Sequence, residues 1–325
     1  MVMNSLSTLM RPYKGESDFQ PLIDLFDACD RVDKLELSVS ISQLRRSLAD
    51  PSIDRDRDLR CWEDTDGKLI GFARVSIEEP TQDNLADGSL WLIVDPIARN
   101  GEIEQQAIAW AENRMHEVGR ERQGQPKLFT WSRSSQTQHI ATIEHHGFVE
   151  SRQFLYSSQF ITKPIPKPQL PEGFTIRPVN GEQEAQKWVD LHNQCFINQW
   201  NYHPQNVARY HHRLQSPDYL PALDLVAVDA DGKFASICYC SINQAHNTFI
   251  GRKEGWVVLL FTSPDFHRRG LARAILFHAL EQLKSLNIEI ANIGVDAENA
   301  FGARKLYESV GFEHRFTDIA YVKHL

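Results

Sequence analysis

The chain repeats itself, and the repeat constrains its fold more than any other feature. Arg11-Pro12 opens the first half and Arg177-Pro178 the second. A helix-like segment follows each, Leu22 to Cys29 and Ala185 to Cys195. Asp64-Thr65-Asp66-Gly67-Lys68 then matches Asp229-Ala230-Asp231-Gly232-Lys233, a tight turn between strand-like runs in both halves. Next come Leu90–Val94 with Pro96, and Val257–Thr262 with Pro264, each leading into a helix. Both halves close on a short strand, a helix stopped at Gly147-Phe148 or Gly311-Phe312, and a last strand. So many markers in one order predict two copies of one β-α-β-β-β-α-β-α-β unit. Four prolines in Lys163-Pro164-Ile165-Pro166-Lys167-Pro168-Gln169-Leu170-Pro171 predict a stiff, extended connector over 164–171. The expected lobes are 1–163 and 172–325, and 325 residues suffice for two cores.

Composition narrows the function classes. A net charge of −8 with no broad basic face argues against a nucleic-acid partner and suits a cationic small molecule. No run reaches the ~18 apolar residues of a membrane span, and the N-terminus lacks a signal-like apolar core. Five cysteines, an odd number without a C-x-x-C pair, read as reduced thiols with no metal role. A cytoplasmic protein, monomeric or homodimeric, is expected, without membrane or metal.

The chemistry is concentrated at Pro264-Asp265-Phe266-His267-Arg268-Arg269-Gly270-Leu271-Ala272. It follows the apolar run Trp256–Thr262 and opens the amphipathic segment from Ala274 to Leu286. A strand passing through a basic, Gly-containing turn into a helix is an anion cradle. Backbone N–H groups converge there, the helix dipole favours negative charge, and Gly lets the ligand approach closely. A diphosphate is the expected tenant.

These residues resemble the GCN5-related N-acetyltransferase (GNAT) superfamily across nearly the whole chain, as a tandem pair. The family's Arg/Gln-x-x-Gly-x-Gly/Ala appears as His267-x-x-Gly270-x-Ala272, with His267 in place of the usual Arg or Gln. Its second motif appears as Asn299-x-x-x-Ala303-x-x-Leu306-Tyr307-x-x-x-Gly311-Phe312, one residue longer between Asn and Ala than usual. The two-lobe layout is similar to mycothiol synthase and related tandem acetyltransferases. The resemblance implies two α/β lobes, each a mixed, mostly antiparallel sheet of six or seven strands flanked by helices, and acetyl-CoA as co-substrate.

The first copy departs from the motif. Aligned on Pro96 and Pro264, Arg99 faces His267, Glu102 faces Gly270 and Glu104 faces Ala272. A carboxylate about 4 Å from a phosphate costs up to roughly 4 kcal/mol at an effective dielectric near 20. Counting back from Gly147 puts Ile143 where the second copy has Tyr307, and Ser135 where it has Asn299. The N-terminal lobe is therefore expected to be non-catalytic.

In the C-terminal lobe the amides from His267, Arg268 and Arg269 through Gly270, Leu271 and Ala272 to Arg273 should hold the diphosphate. By resemblance, Leu260, Phe261 and Thr262 lie beside the pantetheine arm and pair with it like an added strand; otherwise they are plain buried strand. Tyr307, one position past Leu306 in the stripe Ala303, Leu306, Val310, is either the general acid for the departing thiolate or a packed core tyrosine. Asn299 is either a cofactor contact or a helix cap. Glu254 is the candidate base, with a surface glutamate or bulk water as alternatives; many relatives place an acid nearer the turn, where this chain has Trp256. Trp200, Tyr202 and His203 lie in a loop dense in aromatic and hydrogen-bonding groups, which suits either an acceptor pocket or lobe packing.

The expectation is an acetyl-CoA-dependent N-acetyltransferase acting on a primary amine of a small molecule by direct attack. No Ser/His/Asp or reactive Cys arrangement points to a covalent route. The rival is a non-catalytic acyl-CoA-binding sensor. Aminoacyl transfer would need a basic surface that the composition lacks.

Overall fold

The structure is a computed structural model and describes residues 8–36, 39–81, 85–216 and 218–325. The first repeat runs β1 (Leu9–Pro12), α1 (Phe19–Asp33), α2 (Ile41–Ser47), β2 (Leu59–Glu63), β3 (Leu69–Ile77), β4 (Ala86–Val94), α3 (Glu102–Arg122), β5 (Pro126–Arg133), α4 (Thr137–His145) and β6 (Val149–Phe160). The second runs β7 (Thr175–Pro178), α5 (Ala185–Phe196), α6 (Val207–Leu214), β8 (Asp224–Val228), β9 (Phe234–Ser241), α7 (Gln244–Ile250), β10 (Glu254–Thr262), α8 (Leu271–Ser285), β11 (Ile290–Asp296), α9 (Ala303–Val310) and β12 (Glu313–His324). The expected order lacks three of these helices. α2, α6 and α7 lie in stretches too short for a clear apolar period. Each starts at a side-chain cap, from Ser40 to the Gln43 N–H, Asn206 to the Arg209 N–H and Asn243 to the His246 N–H.

The compact units do not follow the repeat boundaries. Unit 1 is Met1–Arg152 with Asp318–Leu325, and unit 2 is Gln153–Thr317. Each repeat therefore gives its last strand to the other unit. In unit 1 the sheet order is β1-β2-β3-β4-β5-β12, antiparallel except for the parallel pair β4 and β5. In unit 2 it is β7-β8-β9-β10-β11-β6, antiparallel except for β10 and β11. The proline-rich stretch expected to join the lobes belongs to unit 2. It carries no helix or strand, but Ile165 and Leu170 pack on the unit 2 core, and Lys284 Nζ donates to the carbonyls of Thr162 and Lys163 at 3.0 and 2.6 Å.

Strand alternation gives each sheet two apolar faces. In unit 1, Trp62, Ala73 and Leu90 pack under α3, while Cys61, Phe72 and Leu59 pack under α1 and α2. In unit 2, Leu225, Cys238 and Val257 pack under α8, while Val226, Ile237 and Phe261 pack under α5 and α6.

The repeats also share polar details. Arg11 grips Asp18 through two bonds of 2.9 and 2.8 Å, and Arg177 grips Glu184 through two of 2.8 Å. Cys29 Sγ bonds the Val94 carbonyl at 3.2 Å, and Cys195 Sγ the Thr262 carbonyl at 3.3 Å.

Candidate active site

In unit 2 the sheet opens where the motif begins. The parallel ladder between β10 and β11 ends at Val257↔Ile293, although both strands run on. The register between β10 and β9 shifts between Val257 and Leu259, a bulge that leaves Val258 49% exposed. Past the bulge, Leu260 turns to the α8 core and Phe261 to the α5 core. Along Leu260–Thr262 the edge of β10 that faced β11 has no ladder partner among the described residues. Such an edge offers backbone N–H and C=O groups to an extended ligand.

The strand then enters the turn. Ser263 N–H bonds the Ala235 carbonyl at 2.8 Å, and His267 Nε2 lies 2.9 Å from the Thr262 carbonyl, which makes it the protonated ring nitrogen. The ring also meets Phe301 edge-on at 5.5 Å. Arg268 and Gly270 both take positive φ, +58° and +84°, so successive N–H groups turn inward ahead of α8. A Cβ built at Gly270 would meet nothing within 4 Å, so the space over the amide is open. Leu271 is buried beneath α8, whereas Arg269 and Arg273 are exposed. Arg273 donates to Ser309 Oγ at 2.8 Å. This cradle fits a diphosphate in shape and in charge.

Tyr307 is 7% exposed in the core between α8 and α9, beside Phe312 at 6.2 Å between ring centroids. Burial pushes its phenol well above the ordinary value, with a smaller contribution from Cys238, so it holds its proton at neutral pH. Asn299 Oδ1 accepts from the Phe301 and Ala303 N–H groups at 3.0 and 3.3 Å. That is cap geometry, and it fastens the start of α9.

Glu254 is a poor base. It begins β10, the end of the strand away from the cradle, and is 2% exposed. Arg252 Nε donates to it at 2.7 Å, Arg315 at 3.2 Å and Asn292 Nδ2 at 2.9 Å. Burial alone would raise its pKa, but Arg252 and Arg315 hold it below the usual carboxylate range. Ser158 Oγ extends the row, donating to Asn292 Oδ1 at 2.6 Å.

The loop after α5 is pinned by an amide staple. Asn193 Nδ2 donates to the Gln205 carbonyl at 3.0 Å and its Oδ1 accepts from the Gln205 N–H at 2.9 Å. Trp200, Tyr202 and His203 are all half-buried, and burial raises the Tyr202 pKa. Trp200 lies 5.8 Å from Phe154 between ring centroids. Tyr156 stacks on Phe316 at 4.7 Å and meets Trp256 edge-on at 5.9 Å. A Cβ at Gly294 would meet the Tyr156 ring at 2.8 Å, so only glycine lets the ring lie there. Phe154 and Tyr156 come from β6, a strand expected to serve its own repeat.

His192 sits over the same strand, between Trp188 and Phe196 at 5.3 and 4.4 Å. Burial lowers its pKa to about 4, against the pull of its bond to Asn193. The folded state thus binds fewer protons than the unfolded one between pH 6.5 and 4. This contribution to stability is complete above about pH 6.5 and is lost as pH falls, by up to about 3 kcal/mol. Urea unfolding of His192→Phe should show a flatter acid limb than wild type over this window; equal limbs would exclude a neutral buried imidazole.

Residues 185–312 match the acetyltransferase (GNAT) family, a span that holds the open ladder, the cradle and Tyr307. That segment is a GNAT domain, and the chain as a whole resembles tandem GNAT proteins. A mycothiol acetyltransferase of Pseudarthrobacter chlorophenolicus is 26% identical over 274 residues, 82% of this chain and 77% of the relative. A GCN5-related N-acetyltransferase from Sphaerobacter thermophilus superposes with a TM-score of 0.76 at 21% identity, covering 98% of this chain and 95% of that one. A tandem GNAT protein from the clavulanic acid biosynthesis pathway gives 0.72 at 14% identity, covering 98% of both chains. These likenesses support an acyltransferase, and the GNAT fold family uses acetyl-CoA or another acyl-CoA.

The two units differ at each feature of this site. β3 and β4 run in unbroken register from Gly71↔Val94 to Ile77↔Gly88, with no bulge. The β4–β5 ladder ends at Ser89↔Phe129, and there Thr130 Oγ1 bonds the Leu90 carbonyl at 3.1 Å, where unit 2 has Gly294. Phe148 N–H bonds the Ile143 carbonyl as Phe312 N–H bonds that of Tyr307, so Ile143 stands in the tyrosine's place.

The two cradles match at their glycines rather than at the spacing counted from Pro96 and Pro264. Gly101, φ +93°, caps α3 as Gly270 caps α8, and Gln105 N–H bonds Gly101 O as Ala274 N–H bonds Gly270 O. The turn of unit 1 is thus one residue shorter, with Asn100 in place of Arg268-Arg269. Glu102 therefore stands for Leu271 rather than Gly270, and Glu104 for Arg273 rather than Ala272. Glu102 turns outward to Thr8 Oγ1 at 3.1 Å. Glu104 is buried, and burial pushes its carboxyl above the usual range. Where unit 2 carries the exposed cation of Arg273, unit 1 thus holds a buried carboxyl group.

Proposed function

We propose that the C-terminal unit transfers an acetyl group from acetyl-CoA to a primary amine of a small molecule. The observation that carries this reading is the one-sided distribution of the site: bulge, uncapped edge, basic cradle and buried phenol occur together in unit 2. In unit 1 each has a counterpart that cannot do the work. The relatives named mycothiol acetyltransferases support a small-molecule acceptor.

In this reading the amides from Arg268 to Arg273 and the α8 dipole hold the diphosphate. His267 braces the turn through the Thr262 carbonyl rather than touching phosphate. The backbone of Leu260, Phe261 and Thr262 aligns the pantetheine arm, and an N–H at the bulge polarises the thioester carbonyl. The amine attacks that carbon and the C–N bond forms. The C–S bond then breaks, its electron pair goes to sulfur, and Tyr307 supplies the thiol proton. Water carries away the amine proton. Asn299 keeps Tyr307 aimed by capping α9. Trp200, Tyr202 and His203, with Phe154 and Tyr156, line the acceptor side.

The test is thiol release from acetyl-CoA against a panel of primary amines. Turnover on an amine supports the enzyme; tight CoA binding without turnover on any amine supports the sensor. Glu254→Gln separates base from scaffold. It should cost about 1–3 kcal/mol of stability by leaving two guanidinium groups underpaired, while the acid limb of the kcat–pH profile stays in place. Loss of that limb would restore Glu254 as the base.

A further inference from the structure

Unit 1 keeps a cleft of about 270 Å³ at the position where β4 and β5 part. One water takes about 30 Å³ of liquid, so the cleft has room for a small organic molecule. Its floor is apolar, from Leu35 and Leu92 to Val94, and its rim carries Asp33, Arg99 and Glu104.

The charges at the rim exclude the ligand of the sister unit. Arg99 is paired with Asp33 through two bonds of 2.7 Å and bonds the Val94 carbonyl at 3.0 Å, so its charge is already balanced. It offers little to an incoming anion. Glu104 is 8% exposed, and its Oε2 has no hydrogen-bond partner among the described residues. A buried acceptor left without a donor costs roughly 1–3 kcal/mol, more when charged. Its carboxyl is pushed above the usual range, chiefly by burial. The groups on α4 do not answer it. His139 Nδ1 is taken by Ser132 Oγ at 3.1 Å, and Thr142 Oγ1 by the Gln138 carbonyl at 3.0 Å. A molecule that satisfies Glu104 must bring a donor, and a cationic one gains most.

We propose that this cleft is a binding site for a small alkylammonium ion, its head on Glu104 Oε2 and its carbon chain along Leu92 and Leu35. The site is separate from the acetyl-transfer centre assigned to unit 2 and stands whether or not that assignment holds.

Isothermal titration of the full chain with n-butylamine, and with other primary amines of two to six carbons, tests the site. n-Butanol and butyrate serve as controls. The expected result is saturable binding of an amine, weakened tenfold or more, about 1.4 kcal/mol, in both Glu104→Gln and Glu104→Ala. Crystals of the wild-type chain soaked in n-butylamine should show the nitrogen within hydrogen-bonding distance of Glu104, a readout that does not depend on either variant folding. The proposal is overturned if no amine of the series binds below about 10 mM, if n-butanol binds as well as n-butylamine, or if Glu104→Gln binds unchanged. Coenzyme A density in this cleft would overturn it too.

Discussion

Tyr307→Phe should lower kcat at least tenfold while leaving the KM for acetyl-CoA nearly unchanged. The substitution removes one oxygen from a side chain that is 7% exposed, so packing against Phe312 and the α8 core is kept. What is lost is a proton donor. Burial holds that phenol protonated at neutral pH, the state an acid must be in before the thiolate departs. General-acid contributions run to roughly 10²–10⁴-fold, which sets the ceiling for the loss. The effect belongs on kcat because the leaving sulfur gains its negative charge only as the C–S bond breaks. A thiolate acceptor for the proton also implies that thioesters with more acidic leaving thiols should suffer less. Unchanged turnover in the variant would remove Tyr307 from the chemistry and leave it a core residue.

Arg273→Glu should weaken coenzyme A binding a hundredfold or more. It gives unit 2 the acid that unit 1 carries at the matching position, Glu104. Arg273 is exposed and its one side-chain partner among the described residues is Ser309, so the fold has little to lose. The ligand loses an attractive charge and meets a repulsive one. At about 4 Å and an effective dielectric near 20, a single charge contact amounts to roughly 4 kcal/mol, and solvent at the rim reduces it. Even half of that, counted once for the attraction lost and once for the repulsion gained, comes to roughly 4 kcal/mol, above the ~2.7 kcal/mol of a hundredfold change. Arg273→Ala should fall between the two. If Arg273→Glu binds coenzyme A as wild type does, the diphosphate does not rest on the start of α8.

The duplication, the glycine turn into α8 and the inward-facing place of Tyr307 on α9 were legible in the sequence because each depends on local chemistry. A Gly-containing basic turn after an apolar strand acts the same in any lobe, and Gly147 and Gly311 stop their helices for reasons internal to the helix. The strand exchange was not legible. Phe154, Tyr156 and Ser158 alternate with Leu155 and Ser157 as any half-buried strand does, and nothing in that pattern says which sheet receives it. Phe154 and Tyr156 were therefore missed as companions of Trp200. The cradle of unit 1 was misaligned by one residue because prolines anchored the comparison upstream, while the missing residue lies between Arg99 and Gly101. Only the cap geometry at Gly101 reveals it. Glu254 drew notice for its place on the strand. Its clamp depends on Arg315, far along the chain, and a single carboxylate carries no sign of such a partner.

The most direct measurement is a crystal structure of the chain grown with saturating coenzyme A. The diphosphate should lie on the backbone amides between Arg268 and Arg273, with the arm along Leu260–Thr262 and no nucleotide beside Gly101. Coenzyme A seated at Gly101 and Glu104, with the Gly270 turn empty, would reverse the roles assigned to the two halves.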